Sequence, residues 1–109
     1  MLKVKHETND VITIKIMSGE EIIGYYHDST PTTLTLRRPM VPVATGEGTV
    51  GLAPYIMSSN YLHEGDGLIP FNLHSIITQV PTSDQFANVY TQMASGIDMS
   101  ASKKSGLIL

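Results

Sequence analysis

The chain of 109 residues is long enough for one domain with one modest core, and 41% of its residues are hydrophobic against 16% that are charged. It has no cysteine, which excludes a disulfide framework and a thiolate metal site, and its formal net charge of −3 disfavours broad electrostatic binding to nucleic acid. No apolar run reaches membrane-spanning length and the start does not resemble a signal peptide, so we expect a cytoplasmic protein that does not use a membrane.

The first half of the chain predicts three strands. Strands are expected over 11–17 and 21–27, because β-branched and aromatic residues there are bounded by Gly, Ser and Asp. The third strand, 32–44, contains Pro39 and Pro42, which lack the N–H group that a sheet ladder needs. Its second half is therefore predicted to be an edge, a bulge or a sharp bend.

Two glycines separated by four residues punctuate these strands. Gly19 follows the first strand, where it can turn the chain with a positive φ. Gly24 lies inside the second strand, where the absence of a Cβ lets the strand bend and another segment approach closely.

The second half of the chain predicts two further strands and then a helix. Residues 45–48 form a glycine-rich hairpin turn that leads to a fourth strand over 49–57. A polar loop over 58–67 precedes residues 68–71, which return to the core, and a fifth strand covers 75–80.

The predicted helix covers residues 83–96, with Thr82 or Ser83 as its cap. Its apolar residues recur at helical spacing on one face: Phe86, Val89, Tyr90 and Met93. Residues 97–109 are expected to form a flexible tail, with the alternative that its apolar end, Leu107-Ile108-Leu109, docks on a neighbouring copy.

The predicted fold is therefore mainly β, with five antiparallel strands followed by a C-terminal helix. Residues 1–10 are a lead-in that either is a short polar segment or includes an edge strand. Small all-β chains manage their edges by closing into a barrel or by pairing edges between subunits. The low charge content, 16%, favours burial of apolar surface against copies of the chain.

Residues 16–24, I-M-S-G-E-E-I-I-G, resemble the first motif of the Sm-like family, in which a first strand leads to one glycine and a second glycine bends the next strand. Residues 72–82 are similar to the short turn and last strand of its bacterial host-factor branch, where a histidine opens the strand and a proline closes it. A looser similarity, at residues 50–54 and 85–93, is to small Sm-like proteins of tailed phages of the cyanophage type.

The resemblance implies a five-stranded, strongly bent antiparallel Sm-like barrel over residues 11–82. It further implies a homo-oligomeric ring of five to seven subunits, in which strand four of one copy pairs with strand five of the next. Single-stranded RNA, U- or A-rich, would bind around the central pore. The RNA-binding residues implied by position or favoured by their chemistry are His27, Asp28, Thr30, Thr33, Arg37, Arg38 and His74.

A second hypothesis keeps the ring but uses it as a structural or adaptor module for protein partners, as in a phage particle. The loop from His27 to Thr33 favours it, because this loop lacks the aromatic residue and the asparagine with which the family contacts a base. No motif for a catalytic nucleophile, a zinc protease or a phosphate loop occurs, so we expect neither an enzyme nor a cofactor. The His63–Asp66 segment lacks an established ligand spacing, so no metal site is predicted.

Overall fold

A computed structural model describes the backbone of residues 6–103 and the side chains of residues 6–95. The fold of these described residues is mainly β, and the one α-helix among them comes last, as predicted. The elements in chain order are β1 (Val11–Ile16), β2 (Glu21–Ser29), β3 (Thr33–Ala44), β4 (Val50–Pro54), β5 (Leu68–Asn72), a 3₁₀ turn (Leu73–Ser75), β6 (Ile76–Pro81) and α1 (Asp84–Lys103).

All strand pairs are antiparallel, and the strand order is β4-β3-β2-β1-β6. The strand β5 pairs with the first half of β3, from Thr33 to Arg37, and β4 pairs with the second half, from Met40 to Ala44. Together β4 and β5 therefore form one interrupted partner of β3, with residues 55–67 inserted between them.

The structure has six described strands where the sequence predicted five, because residues 68–72 form a strand and do more than touch the core. Over the described residues the sheet is not closed, since β4 and β6 lie at the two ends of its strand order. The antiparallel sheet and the C-terminal helix are confirmed, whereas the predicted barrel is not.

The pairing of β3 with β2 is interrupted in the middle of β3, near the prolines that predicted an edge, a bulge or a sharp bend. Its register with β2 shifts between Ile23 and Tyr25, and Arg38 has a φ of 54°. A Cβ on Gly24 would lie 3.3 Å from Pro39 Cα and 3.2 Å from the Leu36 Cβ. Glycine therefore permits the close approach of β2 and β3, as predicted.

The β1–β2 connection also forms as predicted. Gly19 has a φ of 97°, and its N–H donates to the Ile16 carbonyl at 2.8 Å. This left-handed conformation is easily reached only by glycine.

Two clusters of buried residues lie on opposite faces of the strands, which is why the neighbours Ile22 and Ile23 belong to different clusters. The inner cluster comprises Ile12, Ile14, Ile22, Leu34, Leu36 and Phe71. The outer cluster, which includes helix and loop residues, comprises Ile23, Met40, Tyr61, Leu62, Tyr90 and Ala94.

The helix begins after Ser83, whose hydroxyl accepts a hydrogen bond from the Phe86 N–H at 3.4 Å, as the predicted cap requires. Tyr90 and Ala94 are buried, whereas Val89 and Met93 are 38% and 39% exposed. Of the predicted apolar stripe, Tyr90 therefore lies in the core, whereas Val89 and Met93 lie at its partly exposed margin.

The helix continues to Lys103, beyond the predicted end at residue 96. A single glycine inside a helix costs only about 1 kcal/mol, so Gly96 does not end it. The rest of the predicted tail, residues 104–109, and the start of the lead-in, residues 1–5, lie outside the described residues.

Candidate nucleic-acid interface

The residues predicted to bind RNA fall into two groups in the structure. The first, which we call the loop-end group, comprises His27, Asp28, Thr30, Thr33 and His74. Its two parts are joined where the Leu73 N–H donates to the Thr32 carbonyl at 2.9 Å, and Thr33 pairs with Asn72. The 3₁₀ turn that carries His74 therefore lies against the β2–β3 turn. The second group is Arg37 and Arg38.

The β2–β3 turn is held by the Thr30 hydroxyl. This oxygen accepts hydrogen bonds from the N–H groups of Thr32 at 3.2 Å and Thr33 at 3.0 Å. It also shares a hydrogen bond of 2.8 Å with the Thr33 hydroxyl. Much of the hydrogen-bonding capacity of these threonines is thus used within the turn, which fixes the shape of the loop.

The titratable side chains of the loop-end group are accessible to solvent. His27 Nε2 lies 4.0 Å from Asp28 Oδ2, and both side chains are substantially exposed, so this contact contributes little stability. His74 is exposed, and its backbone N–H donates to Asn72 Oδ1 at 2.8 Å. Both imidazoles are therefore accessible to a bound molecule.

The loop-end group contains no lysine or arginine. Phosphate neutralisation by cationic side chains dominates the affinity of most nucleic-acid interfaces. Contacts here would go instead to base edges and ribose hydroxyls, through hydroxyl, carboxylate and imidazole groups.

Arg37 and Arg38 lie at the interruption of β3, about 13 Å along the strand from Thr33. The Arg37 guanidinium stacks over the Tyr25 ring, 4.4 Å from its centroid, and an Arg37 Nη donates to Asn9 Oδ1 at 3.5 Å. An arginine–tyrosine pair is therefore present, but the fold places it apart from the loop-end group.

The carbonyl groups of this arginine pair are bound by the helix. The Tyr90 hydroxyl donates towards the carbonyl oxygens of Arg37 at 3.0 Å and Arg38 at 2.9 Å. Burial raises the pKa of the Tyr90 phenol above its usual range, because ionisation would place a charge in an apolar environment. The outer cluster thus fixes the backbone that presents the Arg37 side chain.

Sequence reasoning missed Asn9, which contacts Arg37 from the turn before β1. Asn9 lies in a turn and has a φ of 79°. Its contact with Arg37 depends on the pairing of distant strands, which no local pattern encodes.

The 55–67 segment forms a polar cleft of about 430 Å³ with Leu68, and Glu64 and Asp66 lie on its wall. Among the described residues, no three His, Asp or Glu side chains come together as a metal site would need.

Within residues 6–103, the helix is not long and apolar enough to cross a bilayer. In comparisons with known proteins, no family model and no curated protein matches the chain.

Proposed function

We propose that this chain is the subunit of an Sm-like homo-oligomeric ring. The observation that carries the proposal is the pair of edges that the described residues leave open on one antiparallel sheet, β6 at one end and the interrupted β4 and β5 at the other. An open edge presents unpaired N–H and C=O groups that favour pairing with another strand. The edge strand β6 also carries Ile77 and Val80, which are 62% and 44% exposed.

Pairing β6 of one copy with the β4 and β5 edge of the next joins two different surfaces of the same chain. Such head-to-tail contacts form a ring when the rotation between copies closes. The strand order and the two glycines support the Sm-like resemblance, from which a ring of five to seven copies follows. This assembly buries the exposed side chains of β6, consistent with the low charge content.

We further propose that the ring binds single-stranded RNA weakly through its repeated loop-end groups. In each copy, the β2–β3 turn and His74 are adjacent, so one nucleotide can contact both. Because the loop-end group has no lysine or arginine, few counterions are released and the affinity should depend only moderately on salt. Multiple copies around one axis would raise the affinity for a strand that spans several of them.

A second function, a ring that binds protein partners without RNA, is favoured by one observation. The Thr30 and Thr33 hydroxyls bond within the β2–β3 turn, so a ribonucleotide must compete for them. Apolar side chains are meanwhile exposed at Met17 and Met57, which protein partners can cover.

Sedimentation velocity and native mass measurement at micromolar concentration test the ring. The unchanged chain should sediment as a closed assembly of five to seven copies. A chain with Ile77→Glu and Val80→Glu should be monomeric, because charges would be buried at the edge. The matched control is Val89→Glu, on the helix, which should keep the assembly. A monomeric unchanged chain contradicts the ring.

Fluorescence anisotropy with U-rich and A-rich oligoribonucleotides at low salt separates the two functions. RNA binding predicts micromolar affinity that falls as salt rises, and a loss of about tenfold for His74→Ala, if the imidazole makes a hydrogen bond or stacks on a base. The control His63→Ala removes an exposed histidine from the 55–67 segment and should bind normally. An intact ring that binds neither oligonucleotide would favour the protein-binding function.

A further inference from the structure

A groove separates the start of β2 from the second half of β3. The pairing of these strands stops at Ile23 and Met40, and beyond this point β4 is the partner of β3 among the described strands. Two adjoining depressions of about 280 and 460 Å³ occupy the gap, and both are lined by Glu21 and Pro42. We call them together the β2–β3 groove.

The groove combines an apolar lining with an acidic rim. Ile23 and Phe86 line one depression, and Val41 and Val43 line the other. Exposed Glu20 and Glu21 lie at its entrance. A complementary occupant is a short apolar segment that carries positive charge at one end.

The C-terminus of this chain has that composition. Lys103 and Lys104 precede Ser-Gly, and the chain then finishes in Leu-Ile-Leu. These lysines are two of the seven lysine and arginine residues in the whole chain, and only two residues separate them from the apolar Leu-Ile-Leu.

The helix prevents this segment from reaching the groove of its own copy. The helix starts at the groove, where Phe86 lines it, and then crosses the backbone of Arg37 and Arg38 at Tyr90. It therefore runs away from the part of β3 that lines the groove. From Phe86 to Lys103 it rises about 25 Å, whereas residues 104–109 span about 20 Å even when fully extended.

We propose that the β2–β3 groove binds the C-terminal segment, residues 104–109, of a second copy of the chain. The apolar side chains of the segment cover the groove lining, and the adjacent lysines approach Glu20 and Glu21. This inference rests on the self-association proposed above, but it requires no RNA. It assigns to the groove a contact distinct from strand pairing at the sheet edges.

Photo-crosslinking of the full chain tests this contact. A photoreactive benzoylphenylalanine replaces Leu109, and isotopically heavy and light chains are mixed before irradiation. Crosslinks should join heavy and light chains and should map to residues 19–21 or 41–43. The same group in place of Met57, which is exposed on the 55–67 segment, is the control and should not label the groove.

The outcomes distinguish this inference from the ring itself. Crosslinks confined to one copy, or to surfaces outside the groove such as β6, overturn tail binding even when native mass measurement finds a ring in the same sample. A monomer by native mass overturns both proposals.

Charge reversal provides an independent readout on the same crosslink. Glu20→Lys with Glu21→Lys should lower the yield between copies about fivefold, the effect of two exposed ion pairs. Lys103→Glu with Lys104→Glu, added to that chain, should restore the yield. A yield unchanged by the first pair of substitutions overturns the proposal.

Discussion

The inner and outer clusters stabilise the same sheet in different ways. The inner cluster contains only aliphatic residues and Phe71, which lie at alternating positions of regular strands. The outer cluster contains two tyrosines, and their hydroxyls donate to backbone carbonyls around the interruption of β3. Regular pairing therefore suffices where the ladder is intact, whereas buried phenols supply hydrogen bonds where it is broken.

The tyrosine contacts come from both sides of the interruption. The Tyr61 hydroxyl donates to the Pro39 carbonyl and accepts from the Tyr55 N–H. The Tyr90 hydroxyl donates towards the carbonyls of the two residues before Pro39, Arg37 and Arg38. A buried carbonyl without a partner costs about 1–3 kcal/mol, so these hydroxyls have a structural role. The following predictions test the difference between the two clusters.

The largest effect is expected from Leu36→Ala in the inner cluster. Leu36 is fully buried, and removal of its side chain leaves a cavity, so the free energy of unfolding should fall by about 2–5 kcal/mol. Urea denaturation measures this loss. The control Met57→Ala, at a residue that is 77% exposed on the 55–67 segment, should change stability by less than about 0.5 kcal/mol. Equal losses would contradict the assignment of Leu36 to the core.

Gly24→Ala tests the close approach of β2 and β3. The added methyl group would contact the Pro39 backbone at 3.3 Å, and a loss of about 1–3 kcal/mol is expected. Gly51→Ala is the matched control, because its Cβ would meet only Thr45 Cγ2 at an ordinary 3.5 Å. Thermal unfolding of both variants provides the comparison, and similar midpoints would disprove the crowding at Gly24.

Tyr90→Phe tests the hydroxyl contact of the outer cluster without changing its apolar packing. The carbonyls of Arg37 and Arg38 lose their helix donor, so unfolding should become about 1–2 kcal/mol easier. In the control Tyr26→Phe, the lost hydroxyl bonds the exposed Ser29 hydroxyl, and the effect should be smaller. A loss no greater than that of the control would show that the helix hydroxyl adds nothing to the outer cluster.

The smallest effect is expected at alkaline pH, where the buried tyrosines of the outer cluster should lower the stability of the folded chain. Burial raises the pKa of Tyr90 and of Tyr61, so the folded chain keeps these phenol protons above pH 10, near which an unfolded tyrosine loses its proton. The free energy of unfolding should therefore fall as the pH rises above about 10. Denaturation at a series of pH values should show a shallower fall for Tyr90→Phe. Leu36→Ala should retain the original slope, and a changed slope there would contradict the prediction.

The first three strands could be predicted because local chemistry determines them. Their β-branched residues alternate, and Gly19 and Pro39 mark a turn and an interruption that the backbone confirms. The strand β5 was missed as a strand because Pro70 argues against one. Proline is nevertheless compatible with an edge, and β5 pairs only with β3 among the described strands.

The prediction of the buried helix face missed Ala94 because this residue is small. Ala94 is small and did not count as a large apolar residue, yet with Phe86 and Tyr90 it completes a row at four-residue spacing. Such rows are the ridges by which helices pack. The two groups of predicted site residues could not be separated from sequence, because their positions depend on strand register.

The insertion between β4 and β5, residues 55–67, can change in length without disturbing the sheet. Each of these strands has its own register with β3, so a change in the number of intervening residues need not shift either one. Evolution or engineering can therefore lengthen the 55–67 segment while the Tyr61 hydroxyl keeps its hydrogen bond to the Pro39 carbonyl. A foreign peptide spliced in next to the exposed residue Glu64 would be displayed at the surface, on a sheet whose strand pairing is unchanged.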